Sequence, residues 1–284
     1  MTDRSSFQAA PDTVRGVLTP QTTEAVLERL GFSDAPTTDL DGLNQVYGAW
    51  CEHIRFDNIV KRIHLVSGSP APIPNGPPEA FFASYLEHRT GGTCWPSSGA
   101  LFALVDALGF DARRGSGAMR DDLSGPVHSH GTVLVRFDDG DYWVDTSMLT
   151  MRAFRTTQGF DDPVHATRIE PTEPYFRVWW THPFLDEMLG CLLLDDNVTQ
   201  EHYLARYEWS RGQSPFNAGL YAVRSTPDAR VTLAFGQRFE RTPFGVSSRP
   251  LVDDRCQVLI EEFGYSEAIV VALPNDDPPP PTPR

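Results

Sequence analysis

The chain has 284 residues, 40% of them hydrophobic, and a formal net charge of −14. That length holds one large domain or a few small ones with a real core between them. The acidic balance, with no basic stripe to offset it, excludes a general nucleic-acid binder, and no apolar run is long enough to span a membrane.

The first residues, Met1-Thr2-Asp3-Arg4-Ser5-Ser6-Phe7, lack the basic and apolar regions of a signal peptide, so the expected location is cytoplasmic. Cys51, Cys94, Cys191 and Cys256 are widely spaced with no CxxC pair, which in an unexported chain reads as thiols rather than disulfides. No pair of ligand types has zinc-site spacing, and neither a phosphate loop nor a dinucleotide fingerprint occurs, so no metal and no tightly bound cofactor is expected.

In chain order, residues 1–18 read as a loose arm. A short helix from Thr19 or Thr22 to Leu30 ends at Gly31, and a second over 40–53 carries Leu43, Val46, Tyr47 and Trp50 on one face. Cys51 beside that face reads as a packing residue. Residues 70–78 form a proline-rich loop and 79–86 another short helix. Next comes Thr90-Gly91-Gly92-Thr93-Cys94-Trp95-Pro96. The glycines permit a tight turn, Pro96 suits the first turn of a helix, and Leu101, Leu104, Val105 and Leu108 recur at helical spacing up to a C-terminal Gly109. Cys94 is thereby placed at a helix N-terminus, where unpaired N–H groups and the dipole favour a negative sulfur.

Beyond Gly109 the pattern turns to strands: 112–119, 131–137 and 142–146, the last two joined by a turn at Asp138-Asp139-Gly140-Asp141, then 175–180 and 189–194. A small barrel or curled antiparallel sheet is the natural reading. Residues 197–219 give mixed signals. Strands are expected at 221–224, 231–235, 237–240 and 269–272, a helix at 258–263, and a disordered proline-rich end.

A cysteine nucleophile needs a base and a group that orients the base. The hairpin after Cys94 offers both. A tight register pairing 137 with 138 sets His130, at the start of one strand, opposite Asp145, at the end of the other. His128 shares a face with His130, and the register favours His130.

These pieces, in order and spacing, resemble the arylamine N-acetyltransferases and their amide-synthase relatives. That family carries Arg-Gly-Gly-x-Cys-x-Glu-x-Asn, here Thr90-Gly91-Gly92-Thr93-Cys94-Trp95-Pro96-Ser97-Ser98; a Leu-Gly-Phe, here Leu108-Gly109-Phe110; a His before a Val/Leu strand, here His130; and Asp-Val-Gly-Phe-Gly, here Asp145-Thr146-Ser147-Met148-Leu149. Arg55-Phe56-Asp57-Asn58-Ile59, Ser214-Pro215-Phe216-Asn217 and Glu262-Phe263-Gly264-Tyr265 are similar to further family segments.

The resemblance implies an α+β protein: a helical domain over 19–110 carrying the nucleophile, an antiparallel β-barrel over 111–196 and an α/β lid over 197–272, followed by a proline-rich tail over 273–284. It implies a papain-like Cys94-His130-Asp145 triad and an acyl-enzyme. The donor would be acetyl-coenzyme A, another acyl-coenzyme A or a carrier-bound thioester, and the acceptor a small amine, with no resident cofactor. Trp95, Met148 and Phe216 are the expected pocket walls. Arginines from Arg206 to Arg255 offer a surface for a phosphate-bearing donor or an acyl carrier protein. Thr90 and Pro96 replace the family's Arg and Glu, and the segment after Asp145 loses its glycines, which alters the acyl pocket. A macrolactam-type amide synthase, a cysteine hydrolase or transglutaminase-like enzyme, and a non-catalytic binding protein are the alternatives.

Overall fold

The structure is a computed structural model that describes residues 18–119, 127–251 and 253–276. Residues 1–17 of the expected arm and 277–284 of the expected tail lie outside them.

Five helices and one short strand come first: α1 (Pro20–Arg29), α2 (Leu40–His53), β1 (Phe56–Asp57), α3 (Ile59–Val66), α4 (Pro78–His88) and α5 (Cys94–Ala107). Asp39 caps α2 by accepting from the Gly42 N–H at 2.8 Å, and the expected face of Leu43, Val46, Tyr47 and Trp50 is buried. Trp50 packs on Phe81 and Phe82 of α4. Every residue of α5 from Cys94 to Val105 is buried. A helix apolar all round belongs in the centre of a molecule, and α5 lies there, between α4, the following strands and a later helix.

Seven antiparallel strands follow: β2 (Ala112–Met119), β3 (His130–Phe137), β4 (Gly140–Val144), β5 (Phe154–Arg155), β6 (Thr167–Pro171), β7 (Phe176–Thr181) and β8 (Met188–Asp195), in the order β5-β4-β3-β2-β8-β7-β6. The expected barrel is a curled sheet. Among the described residues its edge strands β5 and β6 share no ladder, and the isolated bridge Phe160–Thr167 joins the segment after β5 to the start of β6. Trp143, Met148, Phe154, Val178, Trp180 and Leu193 fill the concave side.

Residues 200–213, whose pattern is ambiguous in the sequence, form helix α6 (Gln200–Gln213), capped by Thr199 accepting from the His202 N–H at 3.2 Å. Its Tyr203 and Tyr207, one turn apart, are buried. Strands β9 (Tyr221–Ser225), β10 (Arg230–Ala234), β11 (Gln237–Thr242) and β12 (Gly245–Pro250) make a second sheet, and β1 from the helical region pairs with β9. After α7 (Arg255–Gln257) a single π turn spans Val258–Glu262, as the helix expected at 258–263 requires. The strand expected at 269–272 is instead the helix α8 (Glu267–Ala272). Ser266 caps it through the Ile269 N–H, and that local bond outweighs the strand preference of Ile269-Val270-Val271.

No helix among the described residues is long and apolar enough to cross a membrane. No disulfide joins the cysteines of the described residues.

Candidate active site

Cys94 is the first residue of α5, with Thr93 at the N-cap. The turn before it is held from both sides. Asp57 accepts from the Gly91 N–H at 2.7 Å and from Tyr265 Oη at 3.0 Å. Asn75 donates to the Gly91 carbonyl at 3.2 Å and is itself held by Tyr207 Oη at 2.7 Å. The Asp57 N–H and Ser97 Oγ both donate to the Gly92 carbonyl. The glycines are needed here for space. Neither Gly91 nor Gly92 has positive φ, but a Cβ on Gly91 would lie 1.7 Å from the Arg55 carbonyl oxygen. Burial pushes the Asp57 carboxyl up to about 6 against the hydrogen bonds from Gly91, Ile59 and Tyr265 and the charge of Arg55. Thr90, where the resemblance expects Arg, bonds Ser84 Oγ at 2.6 Å.

The hairpin brings in the other two groups, with a register different from the expected one. Phe137 pairs with Gly140 and Val133 with Val144, two residues away from a ladder that would face 130 with 145. A shift of two keeps every side chain on its own face. His130 and Asp145 therefore meet diagonally, Nε2 to Oδ2, at 2.7 Å. The other oxygen of Asp145 accepts from the Ser147 and Met148 N–H groups at 2.8 and 3.1 Å. Cys94 acts on the His130 imidazole and helps to raise it, and the Cys94 thiol is 3.8 Å from the Ser129 carbonyl. Ser98 Oγ of α5 donates to the Gly131 carbonyl at 2.7 Å and ties the two elements together.

Both ionisable partners are fully enclosed. Burial alone would lower the His130 imidazole, but the charge of Asp145 and the bonds to Asp145 and Cys94 hold it well above its ordinary 6.5. Burial would raise the Asp145 carboxyl, and His130 together with the Ser147 N–H keeps it below 3.8. The His130 contribution to stability is thus complete below its unfolded value and is lost as pH rises through the higher folded one. The Asp145 contribution is present above about 3.8 and is lost as pH falls through its folded value. Between those limits the imidazolium–carboxylate pair persists.

Tyr47 of α2 pins the segment after Asp145. Its hydroxyl donates to the Asp145 carbonyl at 2.7 Å and receives the Asp145 and Thr150 N–H groups, each at 3.2 Å. From the second sheet, the buried Arg230 donates to the Met148 carbonyl at 2.6 Å and the Thr181 carbonyl at 2.9 Å. Tyr47→Phe leaves two buried N–H groups without an acceptor. A loss of about 1–3 kcal/mol is expected, read as a lower midpoint in denaturant, with turnover falling further than stability alone explains.

Of the remaining sequence-derived residues, Trp95 is buried beside the sulfur, edge-on to Tyr203 at 5.1 Å and His202 at 5.8 Å. A Cβ at Gly131 would come within 2.8 Å of its ring. Met148 is packed in the core of the curled sheet, and Phe216 stacks edge-on against Phe56 and Tyr221. His128 is turned to Ser116 Oγ at 2.7 Å. An open cleft of about 460 Å³ lies elsewhere, lined by Thr157, Phe160, Arg168 and Met188 among others, and holds none of these residues. In the sequence Tyr47 reads only as a packing residue of its helix face, and Asn75, Tyr203 and Tyr207 carry no signal of a role at the site. The i,i+4 tyrosine pair behind a Thr cap signals only the helix that carries the last two.

The architecture has known counterparts. Arylamine N-acetyltransferase of Mycobacterium marinum, solved in complex with coenzyme A, superposes with a TM-score of 0.74 over 88% of this chain and 93% of its own, at 20% identity. The Bacillus cereus arylamine N-acetyltransferase with a Cys-His-Glu catalytic triad gives 0.70 over 87% and 99%, at 16% identity. The chain has the arylamine N-acetyltransferase fold. In sequence it is 30% identical over 151 residues to the arylamine N-acetyltransferase of Mycolicibacterium smegmatis, 51% of this chain and 53% of that relative. The aligned region thus spans about half the length of the curated relative. No family model matches the chain.

Proposed function

We propose that the protein is an N-acyltransferase that carries an acyl group from a thioester, with acetyl-coenzyme A as the first candidate, through Cys94 to an arylamine. The observation that carries this reading is the buried imidazole of His130, hydrogen-bonded at 2.7 Å to the Asp145 carboxylate and raised by both Asp145 and Cys94, with Cys94 at a helix N-terminus. The likeness to the arylamine N-acetyltransferases supports the same chemistry.

His130 holds the proton of Cys94, and Asp145 keeps the imidazolium oriented. The thiolate attacks the thioester carbonyl, with backbone N–H groups at the start of α5 stabilising the oxyanion. The carbon–sulfur bond to the donor breaks, and the departing thiolate takes the proton from His130. The amine then attacks the acyl-cysteine and gives its proton to His130. Cys94 leaves as a thiolate, the amide departs, and the starting ion pair is restored. Exchange of one thioester for another is nearly balanced, so the intermediate can wait for the second substrate.

Incubation with acetyl-coenzyme A and 4-methoxyaniline tests this. The expected product is the N-acetylated amine, formed with one equivalent of free coenzyme A. Free acetate without amide would favour a cysteine hydrolase. Silence with acetyl-coenzyme A but amide formation from a longer or carrier-bound thioester would favour an amide synthase.

A further inference from the structure

Sequence alone offers a run of arginines from Arg206 to Arg255 as a positive surface. The structure uses up nearly all of them. Arg211 pairs with Glu208, Arg238 with Glu240 and Glu262, and Arg249 with Asp254. Arg224 donates to the Glu262 carbonyl, Arg230 to Met148 and Thr181, Arg241 to His182 and Leu185, and Arg255 to Pro274 and Asn275.

Arg206 is different. Its guanidinium lies 4.1 Å from the ring centre of Trp209, and its Nε and Nη2 are shut away from solvent with no acceptor among the described residues. A buried N–H without a partner is costly, and an incoming anion removes that cost.

The place of Arg206 in the fold gives this meaning. On α6 it stands one turn after His202, which meets the Trp95 ring next to Cys94 and lies 5.2 Å from the ring of His128. Ser116 Oγ bridges the two histidines, at 2.7 Å to His128 Nδ1 and 3.5 Å to His202 Nε2. His128 immediately precedes Ser129, whose carbonyl meets the Cys94 thiol. His202, Arg206 and Trp209 therefore form one stripe of α6, whose His202 packs against His128, two residues before His130. Burial, the charge of His128 and the charge of Arg206 lower His202, so Arg206 supplies the fixed positive charge.

We infer that Arg206, braced by Trp209 and flanked by His202 and His128, is an anion-recognition subsite beside Cys94. It takes a phosphate or carboxylate carried by one of the two substrates. The inference rests on the acyl-transfer reading for the word substrate, though not for the binding itself. The stacked guanidinium keeps its plane while presenting N–H groups to a planar or tetrahedral anion. A phosphate would belong to the thioester donor and a carboxylate to the amine acceptor.

The test needs no turnover. The intact wild-type chain and Arg206→Ala are titrated calorimetrically with inorganic pyrophosphate and, separately, with benzoate. One of the two is expected to bind the wild type and to lose about tenfold or more in affinity in the variant, with Arg206→Lys in between. Pyrophosphate assigns the subsite to the donor, and benzoate assigns it to the acceptor. If neither anion binds, or if Arg206→Ala binds both as well as the wild type does, the proposal is overturned. Alkylation of Cys94 supplies an independent readout. Arg206→Ala is expected to slow anionic iodoacetate more than neutral iodoacetamide. An equal fall in both rates would mean that Arg206 serves the sulfur, and would also overturn the proposal. Anion binding that persists in a chain unable to acylate Cys94 would sink the acyl-transfer reading and leave this subsite standing.

Discussion

Cys94→Ala is expected to lower the rate of amide formation by roughly 10⁴-fold or more, with the fold intact. The one hydrogen bond the thiol donates is long, 3.8 Å to the Ser129 carbonyl, and the surrounding turn is held by Asp57, Asn75 and Ser97 instead. The midpoint of thermal unfolding should therefore move little. Far-UV circular dichroism and a turnover assay on the same sample read the two effects separately. A variant that keeps more than a tenth of wild-type turnover would remove Cys94 from the chemistry.

Asp145→Asn is the second large effect. The asparagine oxygen can still accept from the Ser147 and Met148 N–H groups, so the turn after β4 survives. Its amide nitrogen would then meet His130 Nε2, where a donor faces a donor unless the imidazole changes tautomer. That tautomer places the ring proton on Nδ1, and the substitution removes the charge that holds His130 above its ordinary value. A loss of roughly 10⁴-fold in kcat is expected, with little change in KM. The imidazole should also titrate at lower pH, which histidine proton resonances can follow. Unchanged titration of His130 together with near-normal turnover would contradict the account.

How much of this was legible depends on the range over which each signal acts. The position of Cys94 at a helix start was local, written in the glycine turn and the apolar spacing that follows. The meeting of His130 with Asp145 was read from a register that is two residues off. It survived because an even slip leaves side chains on their faces. A slip of one would have sent the carboxylate to the other side of the sheet. The short helix at Glu267–Ala272 looks like a strand in sequence because its run of β-branched residues outweighs a single capping serine, and the fold weighs them the other way. The supports that hold the site rigid could not be read locally. Tyr47 reaches a loop 98 residues away, Arg230 reaches Met148 across two sheets, and Asn75 meets Gly91 only because Tyr207 fixes it. Such contacts come from tertiary packing and leave no periodic trace. The Arg206 stripe is a related case. The sequence shows a cluster of arginines, and only the pairings show which one is left for a ligand.

The most direct measurement is the mass of the intact chain after brief exposure to acetyl-coenzyme A with no amine present, followed by peptide mapping. The account predicts one added acetyl group, on Cys94, that disappears when an arylamine is added and never forms in His130→Ala. An unmodified Cys94, or an acetyl group that the amine does not discharge, would contradict it.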